Sequence, residues 1–126
     1  MSRKRRAFFH HEVRIIRPAT RALRAGGETV DVTAPPVLDE THKDLNVQEL
    51  VPEQELTAAS DIDIQRLSVH TPPGKFIDVQ AGDRAEYRGK TYRVEPLVVE
   101  HFDPRNGRPH HQEFTISRTL RGPRRG

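Results

Sequence analysis

Gly82–Glu95 (GDRAEYRGKTYRVE) and Asp103–Arg118 (DPRNGRPHHQEFTISR) decide the fold, because each reads as a β-hairpin. With Arg88-Gly89 as a two-residue loop, Ala85 faces Tyr92 across the first hairpin. Ala85, Tyr87, Tyr92 and Val94 then share one face, and Arg84, Glu86, Thr91 and Arg93 share the other. A one-residue slip would set Tyr92 opposite Glu86 and mix the faces, so the binary pattern selects the register. The turn type stays open, since Arg-Gly is a weaker loop signal than Asn-Gly. The second hairpin turns through residues 103–109, which are dense in types that fix φ or tolerate positive φ. Leu97, Val98, Val99 and Phe102 enter that loop. Phe114 and Ile116 leave it on one face, with Glu113, Thr115 and Ser117 on the other. Neither hairpin carries an obvious catalytic group.

Working outward, Asp61–His70 reads as a strand in which Ile62 and Ile64 alternate on one parity and Leu67 and Val69 on the other. A one-residue bulge near Gln65-Arg66 would return both pairs to one face. Thr71-Pro72-Pro73-Gly74 ends the strand, because neither proline donates to a ladder. Val13–Arg17 is a short strand with Val13 and Ile15 on one face, limited by Pro18. Asn46–Val51 fits a strand or one helical turn equally well. Arg21–Asp44 reads as one long loop containing Gly26-Gly27 and Pro35-Pro36, with strand-like content only at Thr29–Thr33. A connection of that length has a job of its own or becomes ordered against a partner. About five β-elements result, which makes the chain all-β.

One domain is the most that 126 residues allow, and 33% hydrophobic residues without Trp promise a modest core. The boundaries read as a flexible basic N-terminal arm (1–12), a single β-domain (13–121) with the long acidic loop at about 21–44, and a basic tail (122–126). Some 80 residues then build the compact part, a size at which one core is marginal without partners. Absence of cysteine removes disulfide frameworks and thiolate metal sites. No apolar run approaches the ~20 residues of a membrane span, and no hydrophobic stretch of signal-peptide length follows Ser2–Arg6. These features predict a soluble protein made in the cytoplasm, with no membrane partner.

The net charge of +3 conceals a division along the chain. Met1–Arg24 holds eight basic residues and one acidic, a balance of +7; Gly26–Asp63 holds one basic and ten acidic, or −9; Ile64–Gly126 holds twelve basic and seven acidic, or +5. Such asymmetry points to charged surfaces used for contact, or to a basic tail folded over an acidic loop within one molecule.

Seven histidines include the neighbours His10-His11 and His110-His111, but adjacent strand residues point to opposite faces and cannot chelate one ion together. Asp61 and Asp63 share a strand face, as paired carboxylates would; with Ile62 and Ile64 inward they read instead as the solvent side. Gly-x-Ser-x-Gly and His-Glu-x-x-His are absent, and Gly26-Gly27 lacks the Lys-Ser/Thr of a phosphate loop. The residues therefore predict no enzyme, no metal and no cofactor. Arg3, Lys4, Arg5 and Arg6 concentrate charge beside Phe8 and Phe9, a candidate contact for DNA or for a partner protein in which the phenylalanines serve as an apolar anchor.

A resemblance joins these segments. Gln65-Arg66-Leu67-Ser68-Val69-His70-Thr71-Pro72-Pro73-Gly74, then Ala81-Gly82-Asp83-Arg84, then Tyr87-Arg88-Gly89-Lys90-Thr91-Tyr92-Arg93-Val94, then Asp103-Pro104 and Gly107-Arg108-Pro109-His110-His111 resemble the head-to-tail stopper, or head-closure, proteins of long-tailed bacteriophages. The likeness spans roughly residues 45–121, and its most specific element is the Gly-Arg-Pro-His-His run after Asp-Pro. It implies a small SH3-like antiparallel β-barrel without catalytic residues. Such a barrel would assemble as a ring of six or twelve copies in the virion neck, built in the host cytoplasm. It would sit below a portal or adaptor protein and above a tail terminator or tail tube protein, with the double-stranded genome passing through. The acidic stretch Asp39, Glu40, Asp44, Glu49, Glu53, Glu55, Asp61 and Asp63 then becomes a candidate channel lining or ring interface. Competing readings are a small nucleic-acid-binding barrel, to which Arg118, Arg121, Arg124 and Arg125 would belong, and an adaptor or tail-completion protein of the same virion.

Overall fold

A computed structural model describes residues 8–50, 53–57 and 60–120; for 53–57 and 60–63 the description is of the backbone. Every element in it is a strand: β1 (His11–Arg17), β2 (Thr20–Ala22), β3 (Glu28–Val30), β4 (Leu38–Glu49), β5 (Glu53–Thr57), β6 (Ser60–His70), β7 (Arg84–Tyr87), β8 (Lys90–Phe102) and β9 (Pro109–Leu120). Six of them form a closed antiparallel barrel in the order β4-β1-β7-β8-β9-β6, with β6 returning to β4. Closure removes the barrel's own edges. Among the described residues strand β5 pairs with β6 only, and β2 and β3 form a separate two-stranded hairpin.

The first hairpin takes the register that its alternation demands: Ala85 pairs with Tyr92 and Tyr87 with Lys90. Arg88 (φ 50°) and Gly89 (φ 77°) both occupy the left-handed region, the signature of a type I′ turn whose twist matches the flanking strands. Ala85, Tyr87, Tyr92 and Val94 all enter the core. Opposite them stand Phe114 and Ile116 of β9, Leu67 and Val69 of β6, Leu45 and Val47 of β4, and Val13 and Ile15 of β1. Ile77 and Val79 from the link between β6 and β7 complete this core. Leu97 and Phe102, read as part of the apolar approach to the second turn, face solvent at 71% and 58% exposure. The β8–β9 register shifts between Val94 and Val98, around Pro96, which has no N–H to give a ladder.

Three expectations are corrected. Arg21–Asp44 is not one loop: it holds β3, part of β2 and the first half of β4, where Leu38–His42 pair with Arg17–Val13 of β1. Alternation is hidden there because β4 serves two neighbours. Asp44 adopts φ 60°, and beyond it Asn46–Glu49 pair with β6, which also resolves the strand-or-helix choice at Asn46 in favour of strand. No bulge interrupts β6 near Gln65-Arg66, since its pairing with β9 runs unbroken from Asp63↔Leu120 to His70↔Glu113. Ile64 therefore faces away from Leu67 and Val69. The parity change marks the place where β6 leaves the barrel wall and pairs with β5 through Glu53↔Ile64. Finally, the described residues alone hold nine strands, where the sequence predicts about five β-elements.

Candidate functional site

The motif runs that lie apart in the sequence are tied together in space. Gln112, 6% exposed, accepts from the Ile77 amide through Oε1 (2.7 Å) and donates from Nε2 to the Ile77 carbonyl (3.2 Å). Its backbone N–H donates to Thr71 Oγ1 (2.8 Å), the Thr71 N–H donates to the Gln112 carbonyl (3.0 Å), and the Gly74 N–H to the His110 carbonyl (2.8 Å). The Thr-Pro-Pro-Gly segment is thereby fixed against the His-His-Gln start of β9. At the turn before it, Asp103 accepts from the Arg105 N–H (2.9 Å) and from its guanidinium (3.2 and 3.1 Å), contacts that hold its carboxyl below the usual carboxylate range. The Asp103 carbonyl accepts from Gly107 (2.8 Å), which takes φ 70°, and Arg108 donates its N–H to Asn106 Oδ1 (2.9 Å). Pro104 and Pro109 flank this turn. Asp103, Pro104, Gly107 and Arg108 thus read as turn architecture, Pro109 opens β9, and His110 and His111 lead into a cluster of their own.

That cluster lies on the outer face across β6, β9 and β8. His101 Nε2 donates to Glu113 Oε1 (2.8 Å), His70 Nε2 lies 3.9 Å from Glu113 Oε2, and the rings of His101 and His111 stack at 4.6 Å. His110 Nδ1 and His111 Nδ1 sit 2.8 Å apart, so one of the two carries the hydrogen between them. Burial first, then the charges of His101, His110 and His70, pushes His111 down from its ordinary value; the His101 bond holds Glu113 low. Sequence reading missed this group because it needs the strand order β6-β9-β8, which no local pattern carries. Among the described residues no group of three or more His, Asp or Glu is arranged to hold a metal ion.

The predicted contact residues divide. Arg3, Lys4, Arg5 and Arg6 lie outside the described residues. Phe8 is 49% exposed and meets Phe9 edge-on at 4.8 Å, and its carbonyl accepts from Asn46 Nδ2 (2.8 Å), which ties Phe8 to β4. Of the acidic residues, Asp39 is engaged by Arg14 through two bonds of 2.8 and 2.7 Å, and Glu40 lies 3.3 Å from His42 Nε2. This Arg14–Asp39 bridge joins the basic and acidic blocks within one molecule. Asp44 and Glu49 are exposed, and Glu53, Glu55, Asp61 and Asp63 fall on the β5–β6 hairpin, where only the backbone is described.

Two further features stand out. Arg17 grips Asp83 through Nε (3.0 Å) and Nη2 (2.9 Å) and reaches Asp78 (2.9 Å), and Asp83 is 3% exposed. Beside this pair a cleft of about 520 Å³ opens between Pro18 and Val30 on one side and Arg84, Arg93, Ser117 and Thr119 on the other. Comparison with protein-family models and with curated proteins finds no match. Among solved structures, the phage-like element PBSX protein xkdH from Bacillus subtilis is similar at 18% identity, over 86% of this chain and 92% of that one, with a TM-score of 0.41. At that distance the likeness assigns no function.

Proposed function

We propose that this protein is a structural subunit of the phage head–tail connector: copies assemble into a ring that closes the DNA-filled head and offers the tail its platform. The observation that carries the reading is spatial. The resemblance runs are scattered over residues 65–111, yet they lie on the contiguous strands β7-β8-β9-β6 and in the links between them, joined through Gln112, Thr71 and Gly74. What the barrel then presents outward is contact surface. Phe8, Val32, Val37, Leu97 and Phe102 are exposed hydrophobics set among charges, as expected of a subunit completed by neighbours. Stopper, adaptor and tail-completion roles differ in this reading by neighbour alone. The acidic stretch is the candidate either for channel lining, where like charge would keep DNA from adhering, or for the contact between neighbouring subunits of the ring.

Exposed basic groups along β7 and β8, namely Arg84, Arg88, Lys90 and Arg93, favour the second reading, a nucleic-acid-binding barrel. Native mass measurement and negative-stain imaging with and without duplex DNA separate the two. Rings of six or twelve formed without DNA support the connector subunit; a chain that stays monomeric and changes mass only on adding DNA overturns it.

A further inference from the structure

Arg84 and Arg93 stand directly opposite each other in the β7–β8 register, both exposed. Like charges in that arrangement repel and destabilise a hairpin. Elsewhere Arg14, Arg17, Arg66 and Arg105 each hold a carboxylate within 3.2 Å, but among the described residues neither Arg84 nor Arg93 makes an ion pair or a hydrogen bond with a carboxylate. The carboxylate in the same cleft cannot relieve them, because Asp83 is turned to Arg17 through both oxygens. Hydroxyls of Thr91, Ser117 and Thr119 line the same space, and Pro18 and Val30 form an apolar wall. Two unneutralised guanidinium forks, hydroxyl donors and an apolar side describe a receptor for carboxylates carried on an extended chain that also offers aliphatic side chains.

The chain carries such a segment. Residues 53–65 (EQELTAASDIDIQ) contain four carboxylates, Leu56, Ile62 and Ile64, and no basic residue. Of these, 53–57 and 60–65 belong to β5 and β6, whose backbones pair from Glu53↔Ile64 to Thr57↔Ser60. Among the described residues strand β5 is the last strand of the seven-stranded sheet, with β6 as its one neighbour. Among the described residues β9 reaches Leu120, opposite Asp63, and β5 and β6 pair on to Thr57↔Ser60. Among the described residues this hairpin joins the sheet through the pairings of β6 with β4 and β9, and no pairing links it to its own β7 or β8.

We infer that the Arg84–Arg93 cleft receives the acidic β5–β6 hairpin of a second copy of this chain. Resting on the ring reading above, the inference names the two halves of its repeated contact. Receptor and occupant are different surfaces of one molecule, so the contact is head-to-tail and propagates into a ring. Duplex DNA is the poorer occupant, since the wall of Pro18 and Val30 offers nothing to a phosphate backbone.

Complementary charge reversal tests it. One variant, R84E/R93E, makes both surfaces acidic; another, E53K/E55K/D61K/D63K, makes both basic. Each alone is expected to raise the concentration for assembly at least tenfold at low salt, and an equimolar mixture is expected to restore rings of alternating copies, read by native mass. The milder R84Q/R93Q removes both charges at two exposed strand positions and keeps polar side chains there. It removes a repulsion, so it should weaken assembly while raising the thermal midpoint. Wild-type rings together with unimpaired assembly of R84E/R93E, or with a mixture that stays apart, overturn this inference and leave the ring reading standing. Failure of the wild-type chain to self-associate overturns both. Loss of duplex DNA retention by R84Q/R93Q with assembly unchanged overturns it in favour of a nucleic-acid cleft.

Discussion

Arg17 and Asp83 form the ion pair with the most at stake in this barrel. Asp83 is all but removed from water, accepts both Arg17 bonds and also takes the Gln80 N–H at 2.9 Å. Hydrogen bonds donated to Asp83 first, then to Asp78, hold the Arg17 guanidinium in its charged form. Truncating one member of a buried pair leaves the other desolvated and uncompensated, which costs more than the pair itself contributes. Arg17→Met is expected to lower unfolding free energy by about 2–3 kcal/mol, measured by urea denaturation. Arg14→Met, which loses the exposed bridge to Asp39, should change it far less; equal losses would contradict the burial argument. At Arg88-Gly89 both residues need positive φ, and glycine supplies it at the second position without a Cβ penalty. Arg88 tolerates the strain while its guanidinium covers the Tyr87 ring at 5.3 Å.

Among the elements, β9 links the core to the histidine face. Phe114 and Ile116 point inward, and before them Glu113 and His111 point outward toward His70 of β6 and His101 of β8. His11, His42 and His111 all have folded-state values pushed below the ordinary 6.5, in each case by burial first. A depressed histidine binds fewer protons in the fold than in the unfolded chain, so stability is complete above about pH 6.5 and falls as the pH drops through the folded-state values. Glu113, also held low, adds a loss of the same sign at more acidic pH. Thermal unfolding from pH 8 to pH 5 should show this decline, and His111→Gln should flatten part of it. A midpoint constant over that range would contradict the assignment. Strand β4 explains a different failure of pattern. Its buried run Leu45–Val47 follows Asp44 at φ 60°, and the turn in the backbone transfers the strand from β1 to β6. A strand that changes neighbours midway shows no single period of alternation.

For the molecule as a whole, charge is the quantity that the proposed assembly uses. The basic arm is part of the +7 block, of which Arg14 and Arg17 are already committed to Asp39, Asp78 and Asp83. Reversing Arg3, Lys4, Arg5 and Arg6 to Glu is expected to weaken ring assembly most at low ionic strength and little near 1 M salt, where screening shortens to ~3 Å. An effect that grows with salt would show that the arm acts through Phe8 and Phe9 instead. Both hairpins, the Ala85↔Tyr92 register, the strand end before Thr71-Pro72 and the charge blocks were legible in the chain, because alternation, turn chemistry and charge are local properties. The Arg84–Arg93 opposition was implied by that same register. Barrel closure through β4–β6, the burial of Asp83, the Gln112 bonds, the histidine face and the alignment of the acidic hairpin with β6 were decided only by the tertiary structure. Each depends on which strands become neighbours across long stretches of chain, and a two-residue period says which face a side chain takes but not what stands opposite it.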